Sequence, residues 1–343
     1  MMRNNARGTS FASVGLLVLL LTACASMTPG LPGPLDVTAS RIPLYPNRPD
    51  EKRAGSLIYR GGLELSSTDA RFGGLSDIEV NEDGSEILAV SDNARWLRAR
   101  LSYDASGDLS GFASVIIAPM VGMDGTAMQA LEGDAEGLTL ENAHDLYGGT
   151  IVSFERYVRV WRYDLSNGLR APPSNVPIGS WVNALRNNAQ LEAITLVRPD
   201  TLAIFAEMKV NPGDDILVGL EGYPGGPRRL TTRMASIVPR DPHAVTSAKT
   251  APDGTLFVLE RRFSPAAGVG MELRRIPGSE VREGARMNGE VLANLSFQDA
   301  NIDNMEGIAL RQGPNGETFL YMISDNNFSN LERTLLLMFE IRN

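Results

Sequence analysis

The sequence is poor in the side chains that soft-metal and thiol chemistry need. It has one cysteine, Cys24, and two histidines, His144 and His243, among 343 residues. A disulfide framework and a cysteine-based metal site are therefore excluded for the folded domain. We expect any bound metal to be a hard ion held by oxygen ligands rather than zinc.

Basic charge and several catalytic motifs are also scarce. The chain has 32 Lys and Arg against 41 Asp and Glu, a net charge of −9, and no basic stripe, which argues against nucleic-acid binding. It lacks the Gly-x-Ser-x-Gly elbow of serine hydrolases and the Arg-His-Gly run of histidine acid phosphatases. No phosphate-binding P-loop or dinucleotide glycine fingerprint is convincing. Aromatic residues make up only 6% of the chain and are scattered, so no sugar-binding platform is indicated.

The long apolar run lies at the N-terminus, where it is typical of a leader. Arg3 and Arg7 precede the stretch from Phe11 to Leu21, which is too short to remain as a spanning helix. The stretch ends in Leu21-Thr22-Ala23-Cys24, which resembles the cleavage box of bacterial lipoproteins. That resemblance implies that residues 1–23 are a signal peptide and that lipid is attached to Cys24. An ordinary secretory signal with a chance cysteine is the alternative.

The same resemblance predicts where the protein resides. Ala25, and not aspartate, follows the cysteine, which by similarity to sorted lipoproteins favours the outer membrane with the domain facing the periplasm. Residues 24–54 are rich in Pro, Gly and small polar residues and are predicted to be a flexible, lipid-anchored tether. Residues 55–343 are predicted to be the folded domain, and the membrane is the one predicted macromolecular partner.

A short pattern repeats five times in that domain. Each repeat opens with a small and an aliphatic residue beside an acid, and closes after a second apolar run with another acid. The openings are Ser76-Asp77-Ile78, Glu136-Gly137-Leu138, Glu192-Ala193-Ile194, Ala244-Val245-Thr246, which lacks the acid, and Glu306-Gly307-Ile308. The closings are Val90-Ser91-Asp92, Ser153-Phe154-Glu155, Phe205-Ala206-Glu207, Val258-Leu259-Glu260 and Ile323-Ser324-Asp325. Markers at positions 77, 136, 192, 246 and 306 are 59, 56, 54 and 60 residues apart, a spacing typical of radial or stacked repeats.

Turn residues between the two halves of a repeat indicate hairpins. Asp83-Gly84, Asp253-Gly254 and Asn315-Gly316 each separate two apolar runs, and such pairs supply the positive φ of tight turns. We therefore predict an all-β fold, a β-propeller of six blades, with five marked by the repeat and a sixth, degenerate blade expected among residues 160–245; a propeller of five blades is the alternative. A strand within Gly55–Ser66 is predicted to close the ring by completing the last blade. A pair of β-sandwiches is the alternative.

The repeated acids are the candidate site. Innermost blade strands line a central channel, so the opening acids would converge at one mouth, where repulsion favours a cation. Calcium is the predicted ion because it accepts six to eight oxygen ligands in flexible geometry. The metal ligands are predicted to be Asp77, Glu136, Glu155, Glu207, Glu260 and Asp325. The catalytic residues are predicted to be Glu136, Glu192 and Glu306, and the ligand-binding residues Arg156, Lys209 and Arg261. The alternative is that the acids only pair with turns and neighbouring cations.

The repeats resemble a known family. The resemblance rests on Asp303-Asn304-Met305-Glu306-Gly307-Ile308-Ala309, then Ser324-Asp325-Asn326-Asn327-Phe328 and Arg333-Thr334-Leu335-Leu336 near the C-terminus. Glu136-Gly137-Leu138 with Ser153-Phe154-Glu155-Arg156, and Leu191-Glu192-Ala193-Ile194 with Ala206-Glu207, add to it. The chain resembles the esterase-like activity of phytase family over roughly residues 55–343. The resemblance implies a propeller like that of the calcium-dependent bacterial phytases and a metal-assisted hydrolase of phosphate or carboxylate esters. A propeller that binds a ligand or an envelope protein without catalysis is the alternative.

Overall fold

The computed structural model describes residues 32–185, 190–223, 232–265 and 268–342. These residues form five β-sheets, each a blade and antiparallel except for one short parallel pair at the edge of blade 3, and the innermost strands of successive blades contact one another in a closed ring. The prediction of an all-β propeller is confirmed. No helix in the described ranges has the length and apolarity needed to cross a bilayer.

The strands follow the chain blade by blade. Four short segments come first: β1 (Gly33–Leu35), β2 (Thr38–Arg41), β3 (Arg53–Ala54) and β4 (Leu57–Ser66). Blade 1 contains β5 (Leu75–Val80), β6 (Glu86–Ser91), β7 (Arg95–Tyr103) and β8 (Leu109–Pro119), with β1 on its outer edge. Blade 2 follows a one-turn helix, α1 (Ala130–Gly133), and contains β9 (Ala135–Leu140), β10 (Gly149–Phe154), β11 (Arg159–Asp164) and β12 (Ser174–Val176).

The remaining three blades are built in the same way. Blade 3 contains β13 (Leu191–Arg198), β14 (Thr201–Ala206), β15 (Ile216–Gly222) and β16 (Arg233–Ile237). Blade 4 contains β17 (Ala244–Thr250), β18 (Leu256–Ser264) and β19 (Gly268–Ile276); β20 (Arg286–Met287) then returns to the edge of blade 3, and β21 (Glu290–Ser296) completes blade 4. Blade 5 contains β22 (Met305–Gln312), β23 (Thr318–Ser324) and β24 (Thr334–Ile341). Short 3-10 helices span Leu165–Asn167, Ser180–Ala184 and Gly278–Glu280.

Blade 5 combines strands from distant parts of the chain. Its strand β24 pairs antiparallel with β4, with Leu336 opposite Leu63, and β2 pairs with the outer side of β4. The strand order in this sheet is β2-β4-β24-β23-β22, with β3 paired to β4 beside this path. The strands β2 and β4 come from before residue 70, and β22, β23 and β24 come from after residue 300. The pairing joins the beginning of the folded chain to its last hairpin.

Two predictions about organisation are wrong. Among the described residues there is no sixth blade, because residues 160–245 supply the outer strands of blade 2, all four main strands of blade 3 and the start of β17. The weak repeat there reflects the insertion between β12 and β13. Residues 33–54 are also not a free tether: they form β1, β2 and β3, and they bury Leu44 and Tyr45 in a hydrophobic cluster.

The core is divided among the spaces between blades. Five clusters of buried apolar side chains occur, one for each pair of neighbouring blades around the ring. The cluster between blades 1 and 2, for example, packs Trp96 against Tyr163 with ring centroids 5.2 Å apart. Because every blade buries apolar residues on both faces, the second strands of the blades are nearly continuous hydrophobic runs, such as residues 87–90 and 202–206.

The innermost strands share an irregularity at the same place. In β5, β13, β17 and β22 the pairing with the next strand skips one residue, which is Ser76, Glu192, Thr246 or Glu306. In β9 the pairing shifts across Glu136. Such a bulge turns the skipped side chain away from the regular alternation. In four of the blades the following residue is small, namely Gly137, Ala193, Ser247 or Gly307, and strands meet closely there: a Cβ on Gly307 would lie 2.6 Å from Cα of Asp77.

Candidate functional site

Four of the five bulge residues, Ser76, Glu136, Glu192 and Glu306, line one mouth of the channel. The cavity there, which we call the acidic basin, has a volume of about 280 Å³. It is lined by eight carboxylates, one arginine, one serine and one asparagine. These residues are Asp92, Asp134, Glu136, Glu155, Glu192, Glu207, Glu306 and Asp325, with Arg261, Ser76 and Asn327.

The bulges also correct the alignment of the repeat. The equivalent positions are 76, 136, 192, 246 and 306, which are 60, 56, 54 and 60 residues apart, so Ser76 and not Asp77 corresponds to Glu136. Of these five positions, three acids and Ser76 line the basin, and Thr246 instead donates a hydrogen bond to the Met305 carbonyl. The repeat correctly predicted that Glu136, Glu192 and Glu306 lie near one another. In the first unit the predicted position was wrong by one residue, Asp77 in place of Ser76.

Asp77 is not in the basin, so its prediction as a metal ligand there is wrong. Its carboxylate is fully buried and accepts hydrogen bonds from the Leu138 backbone N–H at 2.8 Å and the Ser247 hydroxyl at 2.9 Å. The Lys249 ammonium group lies 2.7 Å from Asp77 Oδ2 and 3.1 Å from Glu79 Oε1. Asp77 thus connects blades 1, 2 and 4 across the channel axis below the basin.

Lys249 itself was not predicted, although the sequence carries a signal for it. It is a single lysine in the buried inner strand β17, and Asp77 and Glu79 alternate on the inner strand β5. Two acids on one face of a buried strand require a cation nearby. What the sequence does not contain is the information that β17 lies across the axis from β5.

A second correction concerns the closing position of blade 4. Val245 pairs with Glu260, as Leu75 pairs with Ser91, so the residue equivalent to Asp92 is Arg261. Glu260 is completely buried behind the basin, where both of its oxygens face Arg274 at 2.5 Å. Its prediction as a metal ligand is therefore wrong, because a buried guanidinium already neutralises it.

Only one of the three predicted ligand-binding cations lines the basin. Arg261 Nε lies 3.0 Å from Glu306 Oε1, and Arg261 Nη2 lies 3.6 Å from Glu207 Oε1. Arg156 is half exposed and its Nε lies 3.3 Å from Asp134 Oδ2. Lys209 pairs with Asp241 and is not among the lining residues. Among the residues that line the basin, Arg261 is therefore the one cation, and it is placed to contact a molecule that enters the cavity.

Three acids on the blade 2 side are close enough to share an ion. One oxygen from each of Asp134, Glu136 and Glu155 lies within 4.8 Å of the other two. Asp134 was not predicted, because it lies between α1 and β9 and outside the repeated pattern. The sequence feature that could have identified Asp134 is its spacing from Glu136: the two carboxylates lie two residues apart where the inner strand β9 begins. The set offers only oxygen donors, which suits a hard divalent cation.

The basin carboxylates lack enough partners for their number. Glu192 is only 7% exposed, and in the described part of the chain neither it nor Glu136 has a hydrogen bond or an ion pair. Burial, reinforced by the neighbouring acids, raises the pKa of both carboxyls well above the usual range. Two carboxylates without partners, one buried and one partly buried, that line one cavity fit a cation that would share them.

The other basin acids are shifted in the same direction. Burial raises the pKa of Glu306 to about 8, although Arg261 acts in the opposite direction. Burial, with Asp325 and Asp134 adding repulsion, raises the pKa of Asp92 to about 7. Burial also raises the pKa of Glu207 to about 7 and that of Asp325 to about 6. In the absence of a cation, the basin therefore holds protons at neutral pH.

These shifts predict how stability depends on pH. The folded protein binds protons that the unfolded chain, with carboxyl pKa values near about 4, releases, so the free energy of unfolding falls as pH rises from about 4 to about 8. We expect the chelator-treated protein to melt at least roughly 5 °C lower at pH 8 than at pH 5.5. Calcium should recover most of the difference at pH 8 and little at pH 5.5. Thermal melts at both pH values, with calcium or chelator, measure this; a melting temperature independent of pH would contradict it.

Comparison with known proteins gives one family and no close relative. Residues 70–328 match the model of the phytase-like family, described as esterase-like activity of phytase. No curated protein matches the chain. A solved X-ray structure described as a provisionally assigned gluconolactonase is similar at a TM-score of 0.42 and 10% sequence identity, with 90% of this chain and 93% of that chain covered.

Proposed function

The chain belongs to the esterase-like activity of phytase family, and on that premise we propose that it is a hydrolase of phosphate or other esters that depends on a divalent cation. The acidic basin would be the reaction site, and calcium the cation. The observation that carries the proposal is the surplus of buried and partly buried carboxylates, eight around one arginine, in a cavity open to solvent.

The cation would be held on the blade 2 side of the basin. Asp134, Glu136 and Glu155 already offer three oxygens within 4.8 Å of one another, and Glu192 adds a buried carboxylate from the next blade. Calcium would take these oxygens together with water, since it accepts six to eight oxygen ligands. When bound, such an ion supplies charge neutralisation and a lower pKa for nearby water.

The residues of the chain would orient the ester and hold a proton. Arg261, between Glu306 and Glu207, presents a guanidinium group to the cavity and would bind a phosphate or carboxylate oxygen. Glu306 is oriented by the Asn304 amide, which donates a hydrogen bond of 2.7 Å to its Oε1. Since the pKa of Glu306 is about 8, this carboxyl exchanges a proton near neutral pH and would serve as the general acid or base.

A panel of esters tests the proposal directly. We expect the purified protein to hydrolyse phytate, p-nitrophenyl phosphate or p-nitrophenyl acetate with calcium, and to lose this activity with chelator. Arg261→Gln should raise KM for the phosphate substrates by about tenfold or more, because it removes a charge-assisted hydrogen bond. Lys209→Gln, which changes a cation outside the basin lining, is the control and should leave KM unchanged.

The absence of turnover would favour a different function. If no ester reacts with calcium, magnesium or manganese, yet calcium still raises the melting temperature, the basin is a ligand-binding site of a non-catalytic propeller. If neither turnover nor a calcium effect is observed, the cation proposal itself fails.

We also propose that the mature protein is held at the bacterial envelope by lipid on Cys24, facing the periplasm from the outer membrane. The support is the leader, which has two arginines, a short apolar stretch and the Leu21-Thr22-Ala23-Cys24 box. The mass of the mature N-terminal peptide tests this, since it should show an acylated residue 24.

A further inference from the structure

Large apolar side chains collect on the face of the propeller where the acidic basin opens. In the described ranges nine large hydrophobic side chains are exposed, and seven of them lie in loops or at strand ends on this face. We call these seven the apolar rim: Met123, Tyr157, Met208, Phe263, Phe297, Phe328 and Leu331. Leu331 is 94% exposed and Phe263 is 65% exposed. Scattered apolar residues need no explanation, but a concentration at one end of a fold marks an interaction surface.

The topology places the rim on that face. In every blade the connection between the second and third strands lies at the basin end, because the second strand runs toward the closing residues of the basin. These connections, or the strand ends beside them, carry Tyr157, Met208, Phe263, Phe328 and Leu331. Phe297 follows β21, and its backbone N–H bonds to Val269 near the start of β19. Met123 follows β8, whose Pro119 pairs with Arg95 at the basin end of blade 1.

The folded chain also begins close to this face. β1 pairs with β8 in the antiparallel sense, and Gly33 lies opposite Ile117, two residues from the basin end of that strand. The end of β1 nearer the N-terminus therefore lies on the basin side of blade 1. Eight residues lie between Cys24 and Gly33, and the nine steps from one Cα to the next span at most about 30 Å. A lipid on Cys24 would keep the basin face, and not the opposite face, near the bilayer.

We propose that the basin face docks on a lipid bilayer, with the apolar rim inserted among the headgroups and the basin opening toward them. Aromatic and aliphatic side chains at the tips of separate loops suit the interfacial region, where each tip can enter independently. A protein partner would instead require a continuous, well-packed apolar centre, and the centre of this face is a ring of carboxylates. Docking does not depend on hydrolysis, so it stands even if no ester is turned over.

The test uses single fluorescent labels on the full-length protein as its host matures it. Because Cys24 is the sole cysteine and would be blocked by acylation, a second cysteine gives a unique labelling site. Leu331→Cys places an environment-sensitive label on the rim, and Ala105→Cys places it in an exposed turn at the opposite end of blade 1. Both proteins are bound to vesicles of phosphatidylethanolamine and phosphatidylglycerol, with and without lipids that carry a shallow spin-label quencher.

We expect the label at position 331 to brighten on vesicles and to be quenched severalfold more strongly than the label at position 105. Equal quenching at the two positions, or stronger quenching at position 105, overturns the proposal. The same holds if the label at position 331 responds only when a second protein is added, because the rim would then be a protein-binding surface.

Substitution of rim residues by aspartate distinguishes insertion of the apolar rim into the bilayer from mere proximity of the rim to the bilayer surface. Phe263→Asp and Met208→Asp together, with the label at position 331, should lower the docked population about tenfold or more, since each removes an apolar tip from the interface. Tyr147→Asp, which changes an exposed aromatic in the β9–β10 turn on the opposite face, should leave it unchanged. Circular dichroism checks that each variant is folded. Unchanged quenching in the folded double variant would show that the rim does not insert.

Discussion

Replacing Glu136 and Glu192 together by glutamine is expected to abolish the stabilisation by calcium while leaving the ion-free protein as stable as before, or more stable. Glu192 is buried and Glu136 is partly buried, and neither carboxylate has a hydrogen bond or an ion pair among the described residues, so each lowers the stability of the ion-free fold at neutral pH. Glutamine keeps the shape and removes the charge. The stabilisation by calcium, about 2.7 kcal/mol at an ion concentration 100 times Kd, should disappear. Hydrolysis should fall by about 100-fold or more.

The measurement is a thermal melt with calcium and with chelator, followed by an ester assay on the same samples. Glu82→Gln is the matched control, because Glu82 is exposed in the β5–β6 turn at the far end of blade 1. The control should show the same calcium effect as the unmodified protein. A double variant that unfolds even in the absence of calcium would indicate that the two acids stabilise the blades and do not bind an ion.

Replacing Lys249 by methionine is expected to cause the largest loss of stability of any single charge removal in the channel. Lys249 is almost fully buried and contacts Asp77 and Glu79, and its ammonium group also donates to the Leu138 carbonyl. Removing one partner of a buried pair leaves uncompensated charge and costs about 3–5 kcal/mol. Burial already raises the pKa of Asp77 and Glu79, and without the lysine the pKa of each should rise further.

The direction in which the stability deficit of Lys249→Met changes with pH shows whether uncompensated carboxylate charge is its cause. In the variant the two carboxyls take up protons on folding, so its deficit in the free energy of unfolding should shrink as pH falls from about 7 to about 5. Urea unfolding at both pH values measures the deficit. Lys52→Met is the control: Lys52 is half exposed and its partner Asp108 keeps a second cation, Arg60, at 2.6 Å, so the loss of Lys52 should cost at most about 1 kcal/mol. A deficit for Lys249→Met as small as this would show that the ion pair is not the connection between blades.

The repeat predicted more of the architecture than of the chemistry. Periodic apolar runs, turns such as Asp83-Gly84 and Asp253-Gly254, and a spacing near 55–60 residues indicated hairpin blades, and the structure contains them. The number of blades was overestimated because the insertion between β12 and β13 weakens the pattern without adding a sheet. Glu136, Glu192 and Glu306 were correctly expected to converge, since equivalent ends of inner strands meet at one mouth.

Two predicted site residues, Asp77 and Glu260, were each wrong by one position in the chain. A strand alternates its side chains between two faces, so an error of one position moves a residue to the other side. Asp77 was placed in the ring that Ser76 occupies, and Glu260 was placed where Arg261 lies. The bulges that decide between these positions are defined by pairing across two strands and have no signature in a single strand.

The sequence by itself determined the class of fold, the hairpin units and the acidic character of one mouth, because each depends on residues close together in the chain. The tertiary structure alone decided which carboxylates face the cavity, that Lys249 neutralises Asp77 across the axis, that Asp134 joins Glu136 and Glu155, and that the apolar loop tips share the basin face. These groupings arise where five blades close around one axis. Closure of the ring brings Asp77 into contact with Lys249, which lies 172 residues later in the chain. A pattern among neighbouring residues cannot predict a contact over such a separation in sequence.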